Sequence, residues 1–188
     1  TLDGLKEHFK LGEEKWEKFP MLMEMMDKYG VFFNANGTIL TNFADDAAPC
    51  TARKGDTCIN ITISVPAHME AKVDQIWKEH ESFMRYTHNF TTGSGDDMES
   101  PRVTQFTITK GYETQVPMEF DSPKTGKVLY TMHETYVSPD GLKGHMELGA
   151  KYPDLFDKLM PLIEENAVYV DFGQTKVFTN LSKPHLAS

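Results

Sequence analysis

Seven histidines, two cysteines and four Asn-x-Ser/Thr sequons are the residues of this 188-residue chain whose types and spacing bear on chemistry. His80 and His88 lie eight residues apart in a helix-like stretch, beside Glu79 and Glu81. A helical zinc site needs ligands at i and i+4, as in H-E-x-x-H, so this spacing does not predict a metal. His133 falls in a strand-like run between Met132 and Glu134. A general base needs an orienting partner, and the spacing offers His133 none, so it reads as a structural histidine. His145 stands in a Gly144-His145-Met146 turn of an amphipathic segment. There is no G-x-S-x-G, P-loop or G-x-G-x-x-G, and GSGDD (93–97) has no strand before it and no helix after it. No cofactor is expected.

The remaining polar signals concern compartment. Asn36, Asn60, Asn89 and Asn180 each open a sequon, which predicts an N-glycosylated, secreted protein. Asn36 and Asn89 are the most accessible by sequence, at a turn and at a helix end. Asn60 is mid-strand. Cys50 and Cys58 flank the polar loop TARKGDT, and an extracellular chain would join them in a disulfide. A chain opening on Thr1 rather than Met fits processing. The net charge of −9 argues against nucleic acid and anionic lipid as partners. No run of 18 apolar residues predicts a membrane span.

The elements that must position these residues are organised by a repeat. At an offset of 137, DGLKEHFKLG (3–12) returns as DGLKGHMELG (140–149), and 11 of 29 positions are identical through Val31 and Val168. A one-residue shift then aligns Thr41-Asn42 with Thr179-Asn180. Residues 1–43 read as a half unit: a short helix broken by Gly12, a helix striped by Phe19, Leu22, Met23 and Met26, and a hairpin through Val31, Phe32 and Phe33 turning at Asn36-Gly37. Residues 44–57 read as a linker. Residues 58–188 form a full unit: the alternating strand CINITISV, a helix from about 67 to 88, two strands joined near 121–126, a helix capped by Ser138-Pro139, a second helix, and a final hairpin, AVYVDFGQTKVFTNL. The fold class is α+β, a ferredoxin-like β-α-β-β-α-β unit preceded by the repeated helix-helix-hairpin.

This order, with a strand carrying Tyr130 and ending in Tyr136-Val137-Ser138 and the helix segment DGLKGHMELGAKYPDLFDKLMPLI, resembles the antibiotic-biosynthesis-monooxygenase family of dimeric α/β barrels, over roughly residues 57–182. The resemblance implies pairing of open sheet faces into a barrel. If the chain is an enzyme, it implies a cofactor-independent monooxygenase acting on a small aromatic or quinol-like substrate, with His145, Tyr136 (or Tyr130) and Thr62 (or Asn60) around the pocket. Two readings follow. In the first, the half unit cannot bury its own apolar face, so Phe19, Leu22, Met23, Met26, Phe32 and Phe33 form an interface through which copies associate head-to-tail, in a ring or a filament. In the second, the full unit is the oxygenase. An open pocket joining His145 to the Thr62 face would favour the second, a filled one the first.

Overall fold

The computed structural model describes residues 2–29, 38–42, 52–90, 98–116, 119 and 121–178. The elements in chain order are α1 (Leu2–Lys15), α2 (Phe19–Tyr29), β1 (Thr38–Asn42), β2 (Thr57–Pro66), α3 (Glu70–Thr87), β3 (Val103–Thr114), β4 (Lys124–Tyr136), α4 (Pro139–Gly149), α5 (Pro153–Asn166) and β5 (Ala167–Lys176). A single 3-10 turn, Ala67–Met69, joins β2 to α3. The strands make one five-stranded sheet in the order β1-β3-β4-β2-β5, with every pairing antiparallel. The protein is therefore of the α+β class.

The strict alternation of β2 divides the molecule. Ile59, Ile61, Ile63 and Val65 are buried on one face, while Asn60, Thr62 and Ser64 on the other are half-buried. The isoleucine face packs on α3 and α5. These helices bury Val73, Ile76, Trp77, Phe83 and Met84, and Leu155, Leu159, Leu162 and Ile163, at helical spacing. A polar clamp holds the start of α3 on β3 and β4. Lys110 Nζ bonds Glu70 (2.9 Å) and Asp74 (2.7 Å), and the Tyr130 hydroxyl donates to Asp74 (2.7 Å). Ser138 caps α4 as its sequence suggests, its Oγ accepting from the Gly141 N–H at 3.1 Å.

Three expectations are corrected. First, Gly12 does not break a helix: α1 runs through it to Lys15. The glycine is there for space, since a Cβ at Gly12 would lie 2.5 Å from the Phe19 ring. Gly149 meets Phe156 in the same way, at 2.7 Å. Second, the final segment is not a hairpin within the described residues. β5 continues along β2 through a bulge in which Thr57 pairs Lys176 and Ile59 pairs Phe172. Gly173 takes φ +77 there, so the turn signal is spent on a bulge rather than a chain reversal. Third, the end of the linker is structured. Asp56 is buried and accepts from the Arg53 N–H (2.8 Å) and the Thr104 hydroxyl (2.7 Å).

The N-terminal helix pair is less covered than α4 and α5. Leu5, Phe9, Phe19, Leu22, Met23 and Met26 are half-buried, while Leu11, Trp16, Met21 and Met25 are exposed. Phe9 and Trp16 pack on Phe19 with ring centroids 5.9 and 6.3 Å apart. Phe32 and Phe33 lie outside the described residues. β1 joins the full unit's sheet, Thr38 facing Lys110 and Asn42 facing Thr107 on β3.

The two glycines should respond differently to alanine. Phe156 is wedged against Phe83, His80 and His145, so Gly149→Ala should lower stability in urea unfolding by about 1–3 kcal/mol. Phe19 is freer to move, and the ~1 kcal/mol gain in helix propensity should leave Gly12→Ala near neutral.

Candidate functional site

Beneath the sheet, α3, α4 and β4 bring together His80, His88, His145, Glu134 and Tyr136, all buried. Hydrogen bonds fix the tautomers. The Thr87 hydroxyl donates to the Phe83 carbonyl (2.7 Å), so its oxygen accepts from His88 Nδ1 (2.7 Å). His88 Nε2 is then an acceptor, and His145 Nδ1–H donates to it at 3.0 Å. His145 keeps its lone pair on Nε2. The Tyr136 ring lies 5.7 Å from that of His145, and its hydroxyl donates to Glu134 Oε2 at 2.6 Å. Glu134 Oε1 sits 3.8 Å from His80 Nε2, too long for a hydrogen bond. Glu134 Oε1, His80 Nδ1 and Trp77 Nε1 are buried without partners.

Burial sets the protonation states. It lowers His80 to about 3 and His88 to about 2, with the neighbouring His145 adding to both, and it lowers His145 to about 4. Burial raises Glu134 to about 7 against the lowering bond from Tyr136, and it raises Tyr136 well above its ordinary value. The His80–Glu134 contact is therefore no ion pair: the histidine is neutral and the carboxyl holds or releases its proton near neutrality. No group of three or more His, Cys, Asp or Glu side chains has metal-binding geometry among the described residues.

Sequence reasoning placed His145 and Tyr136 together, and so they lie. It missed His80, His88 and Glu134, because their meeting depends on how α3 crosses β4. It also placed Thr62 at the same site, and the structure corrects this. Thr62 is on the opposite face of the sheet, bonded to Thr131 at 3.1 Å. His145 is walled in by the rings of His88, Phe83, Tyr136 and Phe156. A cleft of about 440 Å³ opens outside that wall, lined by Phe83, Tyr86, Tyr152 and Lys151 among others. Phe83 is common to the wall and the cleft. Tyr130 is committed to the Asp74 clamp.

The opposite sheet face holds the second polar assembly. Asn60 Nδ2 lies 3.3 Å from both Asp171 Oδ2 and Thr175 Oγ1, and its Oδ1 lies 2.5 Å from His133 Nδ1. His133 thus has the orienting partner that spacing alone did not reveal. Both amide protons of Asn60 are engaged in the middle of a strand, so a glycan there would have to break this row. Asn89 is half-buried, its N–H and C=O bonded to the Pro101–Val103 segment. Asn36 and Asn180 lie outside the described residues.

The expected Cys50–Cys58 disulfide is not found. Cys58 is a buried free thiol, its Sγ 3.7 Å from the Asp56 carbonyl, and Cys50 lies outside the described residues. No helix of the described residues is long and apolar enough to cross a membrane. Compared with protein-family profiles, curated proteins and solved structures, the chain has no significant match.

The cluster makes stability depend on pH. Below the ordinary histidine value of 6.5, the unfolded chain takes up protons at three positions where the folded chain refuses them until about 4, 3 and 2, so acid destabilises the fold. Glu134 acts oppositely: folded, it holds its proton up to about 7, and unfolded only to its ordinary 4.5, so acidification favours the fold in that window. Three groups outweigh one. Thermal melts should fall steadily from pH 7 toward pH 5. Glu134→Gln should make that fall steeper while leaving the protein at least as stable above pH 7.

Proposed function

We propose that this is a secreted, N-glycosylated assembly protein that associates head-to-tail through its two unlike ends. The observation that carries the reading is apolar surface left exposed in two different places, on the N-terminal helix pair, whose strand β1 lies on the β3 edge of the same chain, and on β5. Within the one chain, the N-terminal strand thus extends the sheet by strand addition. The far end of the sheet is β5, whose partner among the described residues is β2 alone. Val170 and Phe172 on its helix-side face are 40% and 39% exposed. On the N-terminal helix pair Trp16, Met21 and Met25 are exposed. Unlike ends of this kind make a heterologous contact, which closes into a ring or grows into a filament. The paired contacts of Gly12 with Phe19 and Gly149 with Phe156 support a true structural repeat. The order β3-β4-β2-β5 with α3 and α5 on one face supports a ferredoxin-like unit. The sequons at Asn36, Asn89 and Asn180 support secretion.

Mixing tests the geometry. Wild-type protein should show a mass that rises with concentration in light scattering. Val170→Lys with Phe172→Lys blocks the β5 end, and Met21→Glu with Met25→Glu blocks the helix end. Each double variant alone should be monomeric, and an equal mixture of the two should stop at dimers. A wild-type chain that stays monomeric at high concentration sinks the reading. So does a mixture that stays monomeric. Intact mass from a eukaryotic host should exceed that of the polypeptide.

A second reading rests on a separate observation: the contact of His145 with Tyr136, backed by Glu134 and by three buried polar atoms without partners. Perturbed groups of this kind mark candidate active sites. Here the chain is a cofactor-independent oxygenase of a small aromatic or quinol-like substrate, admitted from the cleft by movement of Phe83. Oxygen uptake with a hydroquinone should then be lost in His145→Ala and raised or unchanged in Phe83→Ala. No uptake by wild-type protein removes this reading.

A further inference from the structure

We infer that the sheet face opposite the helices is a binding surface for a neutral oligosaccharide, with Tyr169 as its stacking platform and His133 as its fixed hydrogen-bond acceptor. Register places two polar rows on this face. One crosses four strands as Thr107, His133, Asn60 and Asp171; the next crosses them as Thr109, Thr131, Thr62 and Tyr169. The face is polar where a surface destined for dry burial would be apolar. The face is buried and more apolar at its two ends, at Cys58 opposite Thr135 and at Leu129 and Gly111 opposite Ser64, so the polar rows between them form the accessible part.

The orientation of His133 is forced by its neighbours. Asn60 must turn its NH₂ group toward Asp171, because the reversed amide would set its oxygen against a carboxylate. Its oxygen therefore faces His133, and an oxygen can only accept. His133 must carry its proton on Nδ1, which leaves Nε2 as the acceptor. Asp171 anchors the row. Bonds from Thr175, the Gln174 N–H and Asn60 outweigh the effect of burial and hold its carboxyl below its ordinary value. Burial lowers His133, so it is neutral at physiological pH. A carboxylate, an amide and an imidazole in line are a costly way to build a plain sheet surface. They are a good way to present one acceptor in one direction.

The ligand class follows from what surrounds that acceptor. Tyr169 is 50% exposed and lies two residues from Asp171 on the same face. Thr107 stands directly opposite His133, on β3. The Thr62–Thr131 pair has one hydroxyl proton to spare beyond the one they share. An aromatic face beside uncharged donors and acceptors suits a ring that is apolar on its faces and hydroxylated at its rim, which describes a pyranose. Strands repeat about every 4.8 Å, so four of them span about 14 Å, the reach of a short oligosaccharide. Among the described residues no ion pair joins a cation to Asp171, and the chain's net charge is −9. Both disfavour phosphate- or sulfate-bearing ligands.

The test uses the full chain made in bacteria, free of its own glycans, and titrates cellohexaose, laminarihexaose and maltohexaose. At least one should bind saturably and shift the His133 ring-nitrogen and Tyr169 ring resonances. Tyr169→Ala and His133→Ala should each weaken that binding about tenfold or more, near 1.4 kcal/mol per tenfold. His133→Gln, which keeps an acceptor, should recover part of it. Unchanged melting of the variants separates lost recognition from lost folding. Absence of resonance shifts with all three sugars overturns the proposal, as does binding that survives in both alanine variants. The outcome is independent of self-association, which uses the strand edge and the helix pair.

Discussion

Two-residue alternation along β2 is the constraint on which the rest of the molecule depends. This strand pairs with both β4 and β5. The positions of Ile59, Ile61, Ile63 and Val65 decide which face of all three strands meets α3 and α5. A slip of one residue would send Asn60 and Thr62 into the core and the isoleucines into solvent. The same register sets Asn60 opposite His133, and Ile59 opposite Glu134. Both polar assemblies, one on each face, are therefore consequences of a single hydrophobic pattern.

The assemblies differ in how they meet the cost of polarity. On the helix side, the histidines are packed as aromatic rings, His145 within 6.3 Å of five others. Their neutrality removes the charge penalty, and the Thr87–His88–His145 chain satisfies three of their six ring nitrogens. Glu134 stands out. One oxygen is served by Tyr136 and the other by nothing among the described residues. An unserved buried carboxyl oxygen costs about 1–3 kcal/mol, which apolar residues of similar volume would avoid. On the open face the opposite holds. Asp171 stays charged because three donors converge on it, and it spends that charge on orienting Asn60.

Most of the fold was legible in local patterns, since alternation and helical spacing are properties of neighbouring residues. CINITISV, the Val73–Met84 stripe and the Ser138-Pro139 cap all read correctly for that reason. The errors came where one signal has two uses. Glycine marks a helix stop or a close approach, and only the position of Phe19 distinguishes them at Gly12. Glycine also marks a turn or a bulge, and the partner strand decides at Gly173. Site chemistry was less legible still. His80 and Glu134 are 54 residues apart, and His133 and Asp171 belong to different strands, so their encounters exist only in the folded sheet. Thr62 was assigned to the wrong face because a resemblance names residue types more reliably than it fixes which way a strand is turned.

The fate of one repeated residue shows what the half copy lacks. His145 and His8 occupy the same place in the repeat, each four residues before its copy's Gly12 or Gly149. His145 is buried because β4 and α3 of its own unit close over it. His8 is exposed and touches Phe9 edge-on, at 6.2 Å. In both helix pairs an aromatic ring lies against a glycine, Phe19 on Gly12 and Phe156 on Gly149, so the difference at the two histidines lies in what covers them. The half copy carries the helices and a strand but no counterpart of β2, α3 or β4. Its own chain covers it by lending a β3 edge to β1, which serves the strand and leaves Trp16, Met21 and Met25 in solvent. Leu5 and Phe19 are half-buried like their counterparts Leu142 and Phe156, whereas Leu22 is half-buried and its counterpart Leu159 is buried. Among the described residues, that apolar stripe is left half-covered, which is why the self-association proposed above looks to this helix pair rather than to the sheet face.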